Sequence, residues 1–226
     1  MKQPVFKVLI AIFLGLLVLM LSSAVQMTIM SKKSIIENYS VVENISMHLP
    51  MFIFSVLIIL LLNKGKLKEY GFIWNMNFPI IKIIVISILI GFIFSVIGKY
   101  FIHSTSKGPT SDFSLIEQII YTWFLASISE EVLTRGLIQG YLSPLKHVGF
   151  KLFKYFISLP IFVGALFFGA MHLALLAVGV DIYTVMNIVV FATILGLIAG
   201  YQKEKTSSLT PAIIVHMCFN IGGGLL

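Results

Sequence analysis

Residues 115–142 read LIEQIIYTWFLASISEEVLTRGLIQGYL, an apolar run of about 28 residues with Glu130, Glu131 and Arg135 set deep inside it. Some 20 apolar residues are enough for a helix to cross the hydrocarbon core of a bilayer, and this run has more. An Arg or Asp at the centre of such a helix costs roughly 2.5 to 3.5 kcal/mol on insertion scales, so three ionisable groups there require a reason.

The rest of the chain belongs to the same solvent. Of its 226 residues, 58% are hydrophobic and 11% are charged, with a mean hydropathy of +1.02. A soluble domain carries roughly 25% charged residues. Apolar windows fall at about Phe6 to Met30, Leu49 to Leu62, Phe78 to Phe101, Leu115 to Leu142, Leu159 to Gly179, Ile182 to Tyr201 and Leu209 to Leu226. The expectation is an all-α polytopic bundle of seven transmembrane helices, residues 1–226 forming one integral membrane domain without repeats or low-complexity tracts. Disordered, collagen-like and disulfide-stapled classes are excluded. The lone Cys218 has no partner for an internal bridge.

The net charge of +7 follows topology instead of marking a nucleic-acid partner, because no basic arm exists. Lys2, Lys7, Lys64, Lys66, Lys68, Lys146, Lys151, Lys154, Lys203 and Lys205 fall on one side; Lys32, Lys33, Lys99 and Lys107 fall on the other. The positive-inside rule then places the N-terminus in the cytoplasm of a multi-pass cell-membrane protein, and seven spans place the C-terminus outside. Lys2 and Lys7 ahead of an apolar stretch imitate a secretory signal, but the run continues to Met30 and reads as a first span. Lys146 to Phe156 mixes Lys with Phe and Leu, which suits a short helix lying among the headgroups.

Polar residues at membrane depth recur on three spans. Span four carries Glu130, Glu131 and Arg135; span five carries His172; span seven carries His216 and Asn220. Glu131 and Arg135 are four apart and share a helix face, so they can pair, whereas Glu130 points about 100° away and is left for another neighbour. Phe168 lies one turn before His172 and can fix the direction of its ring, while His216 and Asn220 share a face of span seven. At ~1.5 Å per residue, Glu130 and His172 lie ~20 Å from the cytoplasmic ends of their helices and His216 ~12 Å from its own. The depths overlap between the cytoplasmic third and the midplane, as expected of a site between helices four, five and seven. Gly136 and Gly140, and Gly196 and Gly200, supply small-xxx-small faces for close packing around it.

Glu-Glu-x-x-x-Arg at 130–135, Phe-x-x-x-His at 168–172 and His-x-x-x-Asn at 216–220, in this order on separate apolar helices, resemble the three motifs of the CPBP or Abi family. That family comprises CAAX-prenyl endopeptidases and bacteriocin-processing or self-immunity proteases. The resemblance covers a protease-like core at about 115–220 and implies around eight transmembrane helices where seven are counted. It also implies that Glu130 and His172 activate a water, that His216 and Asn220 stabilise the oxyanion, and that Glu131, Arg135 and Phe168 support them. The substrate would be a membrane-associated or amphipathic peptide or protein; a peptide precursor is the expectation, prenylated or not.

Rival readings stand beside this one. Glu130, His172 and His216 would make a His2Glu zinc set, and the family is commonly labelled metalloprotease. However, a water held by Glu and His alone requires no cofactor. A non-catalytic protein could bind a peptide or confer bacteriocin immunity through the same cleft, and a small transporter could relay protons along Glu130, His172 and His216. The Glu131–Arg135 pair, taken alone, reads as an internal strut. Thr134 could border the site, His103 and His147 read as solvated, Glu117 as interfacial, and Asn187 as a helix-to-helix hydrogen bond. Strings for other intramembrane proteases, His-Glu-x-x-His, Gly-x-Gly-Asp and Gly-x-Ser-x-Gly, do not occur. Cys218 points away from His216 and is a poor nucleophile in an apolar setting.

Overall fold

The computed structural model describes residues 2–32, 39–75, 77–102 and 113–225; Lys33, Lys107 and His103 of the sequence reading lie outside them. Seven helical rods occur among the described residues: α1 (Lys2–Met30), α2 (Tyr39–Leu62), α3 (Ile80–Ile102), α4 (residues 115–141), α5 (Leu159–Val178), α6 (Ile182–Thr206) and α7 (Thr210–Gly223). Of these, α1, α2, α3, α5 and α6 are long and apolar enough to cross a membrane. The fourteen residues of α7 reach only ~21 Å.

The outer surface is apolar, unlike that of a water-soluble bundle, around an interior that is mostly hydrophobic as well. Large apolar side chains such as Phe6, Phe13, Met20, Leu61, Ile81 and Val85 face outward, while Ser22, Ser55, Ser87, Ser127, Glu131, Arg135 and Gln139 are buried. Helices that are apolar all round are the form a lipid solvent demands, and their few polar groups turn inward, away from the apolar outer surface.

The helix α4 runs through the bundle, packing against α1, α2, α5 and α7. Its α-helical turns Leu115–Glu117, Ser127–Glu131 and Gln139–Tyr141 alternate with wider i→i+5 stretches, Gln118–Ala126 and Val132–Ile138. Such wide turns are rare and concentrate at functional sites. A capping box between Ser114 and Glu117 starts the helix, which gives Glu117 a local role at its end.

Close approaches set the spacing. A Cβ on Gly196 would lie 2.8 Å from Ala165 Cα and 3.1 Å from Arg135 Nη2, so the small residue lets α5 and α6 meet around the buried guanidinium. One turn on, Gln139 Nε2 donates to the Gly200 carbonyl at 2.9 Å. At the start of α7, Leu209 N–H donates to the Gly71 carbonyl at 2.9 Å and Ser208 Oγ to that of Ile73, pinning this helix to the loop after α2.

Two expectations are corrected. Residues 149–158 form an antiparallel hairpin, β1 (Gly149–Leu152) and β2 (Tyr155–Ser158), instead of the interfacial helix expected across Lys146 to Phe156. Aromatic residues crowd both strands, Phe153 takes a positive φ of 53° in the two-residue turn, and the rings of Phe150 and Tyr155 stack edge-on against Phe162 and Tyr201. Second, α2 begins at Tyr39, ten residues before the expected Leu49, because Pro50 sits inside the helix and not at its start. The polar residues before Pro50 are accommodated inwardly: Ser46 is buried and Gln26 of α1 donates to the Glu43 carbonyl at 3.3 Å. That extension places His48 inside an apolar helix long enough to cross a membrane.

Candidate active site

The single α-helical turn Ser127–Glu131, held between two wide stretches of α4, presents Glu130 and Glu131 to different neighbours. Glu131 and Arg135 are fully buried and pair at 2.9 Å, as the four-residue spacing requires. Arg135 Nη1 also donates to Thr134 Oγ1, which in turn donates to the Glu130 carbonyl at 2.6 Å. Thr134 is therefore tied to the backbone of Glu130. The Arg135 Cζ lies 4.5 Å over the ring of Phe168 in α5.

The acid of this pair has a second contact that spacing alone did not suggest. His216 Nδ1 lies 2.9 Å from Glu131 Oε1, so Glu131 orients an imidazole on α7 while neutralising a guanidinium on its own helix. A proton on Nδ1 serves that contact, which turns Nε2 toward Glu130 Oε2 at 3.7 Å.

Glu130 remains the most accessible carboxylate of the cluster, its side chain 13% exposed. On the other side of it stands His48 of α2, with Nε2 3.4 Å from Oε1. His48 Nδ1 faces the Asn44 carbonyl of its own helix at 2.9 Å. A carbonyl can only accept, so the proton sits on Nδ1 and Nε2 is the atom aimed at the carboxylate.

His172 completes the set. Here α5 tightens from α-helix, ending at Met171, to a 3₁₀ helix over His172–Val178, and the ring Nδ1 donates to the Phe168 carbonyl at 2.8 Å. Glu130 is within electrostatic reach of His172 as well as of His48 and His216. Phe168 packs edge-on against His172 at 5.2 Å and against His216 at 5.3 Å between ring centroids, so one buried ring spaces the imidazoles of α5 and α7.

Asn220 sits at the rim. Its Nδ2 donates to the Thr122 carbonyl at 3.3 Å and to Ser127 Oγ at 3.1 Å, fastening α7 to the wide turns of α4. Cys218 is buried. His147 is exposed. Asn187 is buried with its amide beside Gly98 of α3. Among the described residues no three His, Cys, Asp or Glu side chains are grouped to hold a metal ion; Glu130, His172 and His216 are the residues that the rival zinc reading would use.

The structure thus brings Glu130, Glu131, Arg135, Phe168, His172 and His216 together, with Asn220 alongside. Sequence reasoning missed His48, because Pro50 and the polar run before it masked the first turns of α2. It also missed the second role of Glu131. A His immediately before a seemingly short apolar span was the available signal.

Comparison with known proteins gives one family. Residues 112–222 match the model described as Rce1-like, Type II CAAX prenyl endopeptidase. No curated protein and no solved structure gives a significant match.

Proposed function

We propose that this chain, a member of the Rce1-like type II CAAX prenyl endopeptidase family through residues 112–222, hydrolyses its peptide bond with a water activated by Glu130 and His172. The observation that carries this reading is the placement of the Glu130 carboxylate, partly open, against the Nε2 atom of His216 at 3.7 Å, with His172 packed on the same Phe168 ring as His216. A carboxylate set among imidazoles inside a bilayer is costly to keep without a use for it.

In this mechanism the water donates one hydrogen bond to His172 Nε2, the ring atom left free by the Nδ1–H bond to the Phe168 carbonyl, and gives its other proton to Glu130 as its oxygen attacks the peptide carbonyl carbon. The carbonyl oxygen becomes an oxyanion. His216 is the natural donor to it: Glu131 holds Nδ1 at 2.9 Å, which directs the opposite ring edge, Nε2, into the site. Asn220 Nδ2 supplies the other donor by exchanging its longer 3.3 Å bond to the Thr122 carbonyl for the oxyanion. Collapse of the tetrahedral intermediate breaks the C–N bond, and the proton held by Glu130 passes to the leaving amine. No step needs a metal.

The N-terminus is read as cytoplasmic, with the site reached from that half of the bilayer. The substrate is a membrane-associated peptide or protein. Whether its recognised end is prenylated is decided by experiment: purified full-length protein in detergent, offered matched peptides ending in a CAAX box with and without a farnesyl thioether, together with amphipathic peptides lacking the box. Cleavage by the wild type and a loss of about 100-fold or more in E130Q is the expected result. Equal cleavage by E130Q sinks the Glu130 mechanism. Binding without cleavage by the wild type identifies a peptide-binding protein instead.

A further inference from the structure

We infer that His48, supplied by α2 from outside the segment that matches the family, is a positioning residue of the hydrolytic site that holds Glu130 through its Oε1. The inference rests on the function proposed above and extends it to a helix that the three motifs do not include.

Four observations converge. First, α2 packs along α4 on both sides of the Glu130 turn, so His48 faces the site through a helix-to-helix contact and not across a loop. Second, His48 Nε2 is 3.4 Å from Glu130 Oε1, and their side chains are comparably shielded, 15% and 13% exposed. Third, the ring cannot turn over freely, because the Asn44 carbonyl one helical turn earlier holds Nδ1 at 2.9 Å. Fourth, the two oxygens of Glu130 are divided between two imidazoles: Oε1 meets His48 of α2, while Oε2 meets His216 of α7 at 3.7 Å.

The physical consequence concerns the carboxylate plane. A glutamate has three rotatable bonds, and the last is broad and roughly two-fold, so an unheld carboxylate samples many orientations. A ring fixed at Nδ1 and directed at Oε1 stops that rotation and keeps the Oε2 edge turned toward His216 and the reaction centre. A neutral Nε2 would present its lone pair to the carboxylate, so the contact is attractive when a proton lies between the two atoms. Among the described residues, His48 faces Glu130 of α4, and His216 of α7 and His172 of α5 act on the same carboxylate, with the Glu131–Arg135 pair behind it on α4. Glu130, His216 and His172 belong to the reaction centre. His48 thus reaches the reacting atoms through Glu130, in the manner of groups that orient a catalytic base.

The test uses the full chain in detergent with the peptide cleaved best by the wild type. H48A is expected to lower kcat about 10- to 100-fold while KM stays within about twofold and the melting temperature within about 3 °C. H48Q places an amide N–H near the position of Nε2 and is expected to recover most of the loss. Imidazole ¹⁵N spectra supply a readout free of activity: E130Q should move the His48 signals and leave those of exposed His147 in place. Wild-type kcat in H48A, no recovery in H48Q, or an unmoved His48 signal in E130Q overturns the inference. If the wild type cleaves nothing, the hydrolase reading has failed, and the spectra still decide whether His48 holds Glu130.

Discussion

Arg135 lies with its Cζ 4.5 Å above the ring of Phe168, and the same ring meets His172 and His216 edge-on. One aromatic face thus accepts a cation from α4 while its edges separate the imidazoles of α5 and α7. The negative face of an aromatic quadrupole suits a buried guanidinium, a contribution of about 2 kcal/mol when water is excluded. Phe168 is also fully buried, so no water competes for the face.

Phe168→Leu keeps an apolar side chain but removes the quadrupole, and is expected to cost about 2 to 3 kcal/mol of stability and about tenfold in kcat. Phe191 is the control: it pairs edge-on with Phe94 at 5.4 Å, where α6 meets α3. Phe191→Leu should lower the melting temperature less and leave kcat unchanged. Equal effects in the two variants would show that Phe168 is packing alone.

Removing one member of a buried ion pair is worse than removing both, because the survivor is left charged and unsolvated. Glu131→Gln is therefore expected to destabilise by about 3 to 5 kcal/mol, as it strips the partner from Arg135 and from His216 Nδ1 together. The double variant E131Q/R135M should be less destabilised than the sum of E131Q and R135M. Unfolding in a denaturing detergent series measures the cycle. Additive losses would mean that the pair does not interact as its 2.9 Å separation indicates.

The outline of this site was readable because membrane burial makes charge conspicuous. Glu130, Glu131 and Arg135 stood out against an apolar background, and their i,i+4 spacing determined the Glu131–Arg135 pair before any coordinates. What spacing cannot supply is the partner from another helix. Nothing local ties His48 to Glu130 or His216 to Glu131, since those contacts depend on how α2 and α7 lie against α4. The hairpin at 149–158 was missed for a related reason: alternating Lys and aromatic residues satisfy an interfacial helix and a short strand pair equally, and edge-on packing of Phe150 and Tyr155 on α5 and α6 chooses the latter. The wide turns of α4 leave no mark that hydropathy could detect.

A metal-free mechanism has its own consequence. If the water is activated by Glu130 and His172 as proposed, treatment with a strong zinc chelator followed by its removal should leave kcat within about twofold of the untreated protein. Activity lost to the chelator and restored by stoichiometric zinc would overturn hydrolysis by the Glu130-held water alone.

Two glycines separate the close helix crossings from the loose ones. A Cβ at Gly91 of α3 would collide with the Phe219 carbonyl of α7, a backbone atom that cannot step aside. The nearest neighbours of a Cβ at Gly136 of α4 are side-chain methyls of Ile59 and Leu209 at 3.6 and 3.7 Å, which is ordinary contact. Gly91→Ala should therefore push α7 away, displacing His216 and Asn220 from α4, with a fall in kcat of about tenfold or more and a lower melting temperature. Gly136→Ala sits in the same helix as Glu130 and should leave both nearly unchanged, or raise stability slightly through the lower backbone entropy of the unfolded chain. Parallel melting curves and kcat values for the two variants decide it: a harmless Gly91→Ala would mean that α3 and α7 do not cross as closely as described, and the placement of His216 would lose its support.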